Sequence, residues 1–244
     1  MKKYLIFGAT GLIGKSLVSK IHDATVIGYG SKLDICNKDQ IIEQLNLHKP
    51  EVVFFCANNS GGVDACEKNP EITHEFHFLA VANIVEACKK NKSSLVFLSS
   101  TFVHGDKVGD PPLSQYGKAK LQAENFIKDH LQEYLIIRTA NVFGPDEKSK
   151  TPNFYQQVLN HLNAKQIFKA PDNVLCTPTD VTHLTLRILI YLKQKNWGTH
   201  LIIGDKTMTR FEWAKLIGQN SALIEATQDH TTYRPKNQRF TNNH

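Results

Sequence analysis

Three side chains, Ser100, Tyr116 and Lys120, have the types and spacing to exchange a proton with a carbonyl or hydroxyl oxygen. Tyr116 and Lys120 are four residues apart in a helical pattern, so both point to one face. A free phenol titrates near ~10 and is a poor acid or base at neutral pH. A neighbouring ammonium, and the cation of a bound nicotinamide, favour the phenolate and are expected to lower that value. Tyr116 can then pass a proton to or from the oxygen while hydride moves to or from a cofactor. Ser100 ends an apolar run and is expected to hold the same oxygen, with Lys120 also reaching the cofactor ribose. Taken alone, Y-x-x-x-K is an ordinary solvated helix face. The chemical reading depends on what precedes it.

What precedes it is Tyr4-Leu-Ile-Phe-Gly8-Ala-Thr-Gly11-Leu-Ile-Gly14. An apolar strand runs into a glycine turn and then into an amphipathic segment, Leu12 to Ile21. The turn and the helix N-terminus bring backbone N–H groups to one point, which suits a phosphate. Gly8 permits the tight turn, Gly11 lets backbone approach a pyrophosphate, and Gly14 lets helix and strand pack closely. Thr10, Leu12 and Ile13 complete this predicted cofactor loop. The spacing is G-x-x-G-x-x-G, and a tight strand–helix turn that binds nothing has the same look. The glycine turn, a serine-ended strand and the tyrosine–lysine helix in that order favour the hydride-transfer reading.

The elements that must carry these groups follow in a regular rhythm. Ala24 to Tyr29 reads as a second strand, followed by Gly28-Tyr29-Gly30-Ser31-Lys32, where NAD-binding chains place an acid. With no carboxylate there and with Lys32 present, NADP is the expected cofactor and NAD the alternative. A helix is predicted from Asn37 or Lys38 to Leu47, and a strand buried on both faces from Glu51 to Cys56. That strand runs into Ala57-Asn58-Asn59-Ser60-Gly61-Gly62, a small-residue loop that a ligand can approach, so Cys56, Ala57 and Asn58 join the cofactor site. One long helix is predicted from Ile72 to Lys90, then a strand at Leu95 to Leu98. Ser114 caps a helix from Gln115 to His130, and Tyr134 to Arg138 is a further strand. Such alternation implies right-handed βαβ units and a Rossmann-like, doubly wound parallel sheet. Beyond Pro145 the rhythm breaks. A polar loop (Lys148 to Pro152), helices at Phe154–Leu162, Thr179–Leu192 and Arg210–Ile217, and a strand at Leu201–Ile203 suggest a small mixed α/β lobe. The expected division is a dinucleotide-binding domain over 1–145 and an interleaved substrate lobe over 146–244. The polar tail from Thr227 is expected to be loosely ordered.

Composition narrows the function classes. Hydrophobic residues make up 41% of 244, ample for a core, and no apolar run approaches the ~20 residues of a membrane helix. The first residues enter a strand at once, unlike a signal peptide. Five cysteines without C-x-x-C pairing read as reduced thiols of a cytoplasmic protein. No histidine pair has metal-ligand spacing, and no metal is assigned. The net charge is +6 with a pI of about 9.0, yet the basic residues are scattered and form no stripe with interleaved aromatics. An anionic cofactor and an anionic substrate account for the excess better than nucleic acid does.

GATGLIG (8–14), LSS (98–100), YGKAKLQAE (116–124) and IIRTANVFGP (136–145), in this order, resemble the extended short-chain dehydrogenase/reductases, over about residues 3 to 217. LDI (33–35), VDACEKNPE (63–71), AVANIVEAC (80–88) and Thr177-Pro178-Thr179-Asp180 are more similar still to the dTDP-4-dehydrorhamnose reductases. The resemblance implies reduction of the 4-keto group of a nucleotide-linked sugar with NAD(P)H. It also implies that Asp34 and Ile35 sit at the cofactor, and that Thr101, Phe102, Asn141 and Arg234 contact substrate. A 4-epimerase is the alternative within enzymes. A non-catalytic NADP-binding regulatory chain, as in the similar methionine adenosyltransferase subunit, is the alternative outside them. Three departures stand out. The family's Thr-Asp pair is Ser100-Thr101, its helix asparagine is His77, and the substrate-facing loop is cut to Gly105–Leu113. Thr101-Phe102 also lack the paired acids a sugar dehydratase uses to eliminate water. The expected partner is thus a nucleotide-sugar, with no membrane or nucleic acid, and a homodimer is allowed.

Overall fold

The computed structural model describes residues 2–30, 33–58, 61–145 and 152–240. In its first half, β1 (Lys3–Phe7), α1 (Leu12–Lys20), β2 (Thr25–Tyr29), α2 (Lys38–His48) and β3 (Val52–Phe55) follow one another. After them come α3 (Gly62–Lys68), α4 (Pro70–His74), α5 (Ala80–Asn91), β4 (Ser94–Ser100), α6 (Gln115–His130) and β5 (Tyr134–Thr139). The second half holds β6 (Val142–Phe143), α7 (Phe154–Asn163), β7 (Phe168–Pro171), β8 (Leu175–Cys176), β9 (Thr179–Asp180) and α8 (Val181–Lys193). It closes with β10 (Gly198–Leu201), β11 (Met208–Thr209), α9 (Arg210–Ile217) and β12 (Ile224–Thr227).

The main sheet has the order β10-β5-β4-β3-β1-β2 and every pairing in it is parallel. This is the doubly wound α/β fold expected. Its strands are apolar on both faces because helices cover both. Leu5, Phe7, Val53, Phe55, Leu95, Phe97 and Ile136 pack with Ile84, Val85 and Ile127 on one side. Tyr4, Ile6, Val52, Phe54, Val96, Leu135 and Ile137 pack with Leu17, Leu184 and Ile188 on the other. A small separate core of Val158, Phe168, Ala170, Ala214 and Ile224 holds α7, α9 and the β7–β12 pair together.

Several expectations change in detail. The single helix predicted over 72–90 is broken: α4 starts at Pro70, a π-helical turn spans Glu75–Leu79, and α5 follows. A hydrophobic period cannot reveal an inserted residue, and π turns are such insertions. Helix α3, between the small-residue loop and Asn69, was not predicted. The late strand lies at Gly198–Leu201 rather than Leu201–Ile203, and it pairs with β5 as the sixth strand of the main sheet. The tail is not loose up to Phe240: Asn173 and Asp229 exchange hydrogen bonds of 2.9 and 2.8 Å, and Gln238 is buried. Its polarity serves these bonds, which composition alone reads as solvation. Most of the polar loop predicted at Lys148–Pro152 lies outside the described residues.

One ion pair ties the helix of interest to the sheet. Glu124 on α6 is fully buried and receives Arg138 of β5 through Nε (3.0 and 3.2 Å) and Nη2 (2.6 Å), and Ser99 Oγ at 2.6 Å. Burial pushes the Glu124 carboxyl up, but the bonds from Arg138 and Ser99 outweigh it and hold the group below its ordinary value. A carboxylate with a depressed folded value adds stability above its unfolded pKa, and loses it as pH falls through the folded one. Glu124→Gln is therefore expected to cost about 3–5 kcal/mol at neutral pH, since it strands a guanidinium. Urea denaturation should show that deficit shrinking as pH falls below about 4.

Candidate active site

At the carboxyl ends of β1, β3, β4 and β5 the chain forms a cleft of ≈ 320 Å³. Ser100, Tyr116 and Lys120 all line it, with Ile13, Cys56, Ala57 and Asn58. Three features put them there. Ser114 caps α6 by accepting from the Gly117 N–H at 3.0 Å, which starts the helix one residue before Tyr116. Ser100 ends β4 and caps the short turn after it, its Oγ accepting from the Phe102 N–H at 3.2 Å. Gly117 then lets the helix and that turn touch, because a Cβ there would sit 2.0 Å from Phe102 O. The serine and the tyrosine are brought together by a contact that only glycine allows.

The electrostatics differ from the sequence expectation. Burial pushes the Tyr116 phenol above its ordinary value, and only the adjoining Ser100 hydroxyl opposes this. Lys120 does not lower it: its Nζ donates to Leu98 O at 2.8 Å and lies 4.5 Å from the Phe97 ring centroid and 5.7 Å from that of Tyr116. Burial pushes the Lys120 ammonium down to about 7, with the Glu124 carboxylate among the groups opposing the shift. Within the protein alone, Tyr116 is a protonated phenol, the form a general acid needs. His77, buried on the π turn, sets its ring edge-on to Tyr116 with centroids 5.0 Å apart. Burial pushes His77 down to about 2, so it is neutral.

The glycine turn has the build of a phosphate site. Gly8 adopts φ +83°, and a Cβ on it would lie 2.5 Å from Ala57 N; one on Gly14 would lie 2.2 Å from Gly8 O. Helix α1 begins at Leu12 after Gly11, and no side chain of the cap residue takes its first N–H groups. These donors and the crowded glycines fit a dinucleotide pyrophosphate. Thr10 packs on Gly30, whose added Cβ would meet Thr10 Cγ2 at 2.7 Å. Of the two residues expected at the cofactor by resemblance, Asp34 folds onto its own turn, accepting from Cys36 N–H at 2.9 Å, and Ile35 sits in the core. Neither lines the cleft. Lys32, Asn59 and Ser60 lie outside the described residues.

Thr101, Phe102 and Asn141, expected by resemblance to contact substrate, line the same cleft. Asn141 has φ +46°, a left-handed turn that asparagine tolerates, held by Thr179 Oγ1 donating to Ala140 O at 2.7 Å. Arg234 lies in an adjoining hollow that shares Thr101, Phe102, Ala140, Asn141 and Arg210 with the cleft. Sequence reasoning missed Arg210, at the start of α9, and Gln238, whose Nε2 donates to the carbonyls of Thr101, His104 and Gly105. It also missed Asp64, which binds Arg234. Nothing local marks any of the three. Two larger hollows, one at the amino ends of the strands and one along the β10 edge, hold none of Ser100, Tyr116 and Lys120. No group of metal-ligating side chains occurs among the described residues, and none of their helices is long and apolar enough to cross a membrane.

The sequence matches the RmlD substrate binding domain family over residues 1–241. The chain belongs to that family. A probable low-salt glycan biosynthesis reductase of Haloferax volcanii is 24% identical over 248 residues, covering 91% of this chain and 82% of that protein. A dTDP-4-dehydrorhamnose reductase of Aggregatibacter actinomycetemcomitans is 24% identical over 233 residues, with 88% and 77% covered. The dTDP-4-dehydrorhamnose reductase of Bacillus anthracis, solved with NADP, superposes with a TM-score of 0.88 at 21% identity, over 98% of this chain and 89% of that one. That likeness confirms the fold.

The contact at Gly117 yields a direct test. Gly117→Ala must move the Phe102 carbonyl or the helix, at a cost of about 1–3 kcal/mol. A urea midpoint equal to that of the wild type would show that the close approach at this point is not needed.

Proposed function

We propose that the protein is an NADPH-dependent oxidoreductase that reduces a keto group on a nucleotide-linked sugar, in the manner of dTDP-4-dehydrorhamnose reductases. The observation that carries this is the meeting of Ser100, Tyr116 and Lys120 in one cleft beside the uncapped start of α1. The pyrophosphate of the cofactor would be held by the Gly8–Gly14 turn, and its ribose side by Lys120, with Ala57 and Asn58 along the wall. When bound, NADPH supplies the hydride. The residues after Pro145 form the substrate lobe in this reading, and Arg210 and Arg234 meet the diphosphate. Relatives named for glycan biosynthesis are in keeping with an activated sugar as substrate.

The work of the protein's own groups follows from their surroundings. Ser100 and Tyr116 hold the keto oxygen with two donors aimed at one point. As negative charge builds on that oxygen, fixed donors stabilise it more than they stabilise the ketone. Tyr116 then gives up its proton. A buried phenolate is costly, as the raised Tyr116 value shows, and the Ser100 hydroxyl is the group that eases that cost. Ser100 keeps its position because the Phe102 N–H occupies one lone pair of its oxygen.

Three outcomes test the reading. A panel of nucleotide sugars incubated with NADPH should include one that oxidises the cofactor, and Tyr116→Phe should slow that turnover by about 10²–10⁴-fold with cofactor binding nearly unchanged. Near-normal turnover by the phenylalanine variant would refute the role of Tyr116. The ammonium of Lys120, titrating at about 7, should give kcat/KM a descending limb as pH rises through neutrality, because the charged form is lost there. Lys120→Met should be slow and lack that limb. The described end of β2, Tyr29-Gly30, carries no carboxylate to repel a 2′-phosphate. Fluorescence titration should accordingly show NADPH binding tighter than NADH, by roughly the 1.5–3 kcal/mol of a hydrogen bond to a charged group.

A further inference from the structure

Two guanidinium groups stand side by side in the hollow next to the catalytic cleft, and the chain supplies them with incomplete partners. Arg210 and Arg234 both line that hollow, and Arg210 also lines the cleft. The Nε atoms of both are buried and have no hydrogen-bond partner among the described residues. Burial, and then the charge of Arg234, disfavour the charged form of Arg210. Two carboxylates are close enough to act on the pair. Asp229 is engaged by Thr231, which donates its backbone N–H at 2.8 Å. Asp64 makes the direct contact: its Oδ2 takes Arg234 Nη2 and its Oδ1 takes the Tyr233 hydroxyl. Arg234 is 13% exposed at its side chain, whereas Asp64 is 56% exposed.

The two ends of that contact belong to different parts of the fold. Asp64 lies on α3, directly after Gly62 and Val63, which line the cleft. Arg234 lies on the tail, which is fastened on both sides of it. Upstream, Asn173 and Asp229 bind each other; downstream, Lys236 N–H donates to Asp106 Oδ1 at 2.7 Å and Gln238 holds three carbonyls of the turn that follows Ser100. The tail is thus a strap from the lobe to the catalytic turn. Its ionic tie to α3, between Arg234 and Asp64, is half in water and is the weakest of these attachments by the usual measure of exposed ion pairs.

We propose that Asp64 is an internal competitor for the substrate's anionic group: in the empty protein its carboxylate occupies Arg234, and a phosphate of the incoming substrate displaces it and takes both Arg210 and Arg234. The inference rests on the nucleotide-linked substrate proposed above. Displacement lets one doubly charged anion reach the buried donors that Asp64 leaves unpaired, and returns a half-exposed carboxylate to solvent. Tyr233 helps to keep Asp64 in place until then. The apparent affinity for the anion is reduced by the fraction of molecules in which the latch is closed. A carboxylate here serves specificity too, since a ligand without an anionic group cannot open the contact.

The test is calorimetric titration of the full chain with inorganic pyrophosphate as the probe. Asp64→Asn should bind pyrophosphate about 3- to 10-fold more tightly than wild type, the gain being that of removing a closed state. Tyr233→Phe, which leaves every charge in place, should give a smaller gain in the same direction. Asp64→Asn/Arg234→Gln should bind more weakly than wild type. A purely structural Asp64 predicts weaker or unchanged binding in Asp64→Asn, and that result overturns the proposal. If Asp64→Asn tightens pyrophosphate binding but no nucleotide sugar is reduced by the wild type, the latch stands and the reductase reading falls. If the wild type reduces a nucleotide sugar, and Asp64→Asn leaves both its KM and pyrophosphate affinity unchanged, the latch alone falls.

Discussion

The site depends on one face of α6 being clamped to the sheet. Tyr116, Lys120, Glu124 and Lys128 recur every four residues, so one stripe of the helix carries the phenol, the ammonium and the carboxylate in turn. Glu124 is the fixed end of that stripe. It joins Arg138 of β5 and Ser99 of β4 while fully buried, and Ser99 is the neighbour of Ser100. The ion pair therefore sets the height of the helix against the two strands whose ends form the cleft. A pair in that setting is not an efficient source of stability, since desolvation offsets most of its attraction. Its value is register: apolar residues of similar volume would allow α6 to slide along the sheet, and the tyrosine would move away from the serine. At the other end of the stripe, Gly117 removes the Cβ that would hold helix and turn apart.

Around that clamp the protein holds several polar groups in places that disfavour their charge. Lys120 has one carbonyl and aromatic rings for company, His77 has no hydrogen-bond partner for either ring nitrogen among the described residues, and Arg210 and Arg234 have unsatisfied Nε atoms. Each is costly in a folded chain. All of them lie within or beside one cleft at the carboxyl ends of parallel strands, where this class of sheet places its ligands. Such a concentration is what an anionic cofactor and an anionic substrate would relieve. It also gives a local reason for the chain's net positive charge, which composition could only record as an excess.

Much of this could be read from residue order. The both-face apolar runs, the glycine turn and the Ser114 cap are local patterns, and they led to the parallel sheet, to α1 and to α6 with its observed limits. The tyrosine–lysine spacing is likewise a property of five consecutive helical residues. What could not be read are features that arise between distant segments. The π turn that carries His77, the sixth strand drawn from the second half, and the tail strap all answer to packing partners far away in sequence. A polar tail looks loose when its composition is read alone, because nothing in it says that three carbonyls are waiting for Gln238. The direction of the Tyr116 shift was misjudged for the same reason: residue spacing says that a lysine is near, but not that burial outweighs it or that a carbonyl takes its protons.

By itself, then, the sequence determined the fold class, the strand–turn–helix built on the glycine turn, and the helix face bearing Tyr116 and Lys120, because periodicity and turn chemistry act over a few residues. Only the tertiary structure decided that Ser100 touches Tyr116, that Glu124 and Arg138 hold the two in register, and that Arg234 meets the Asp64 carboxylate beside Arg210. Those facts depend on distances and on exclusion of water. Both are set when different elements of the fold come together, and neither leaves a local mark.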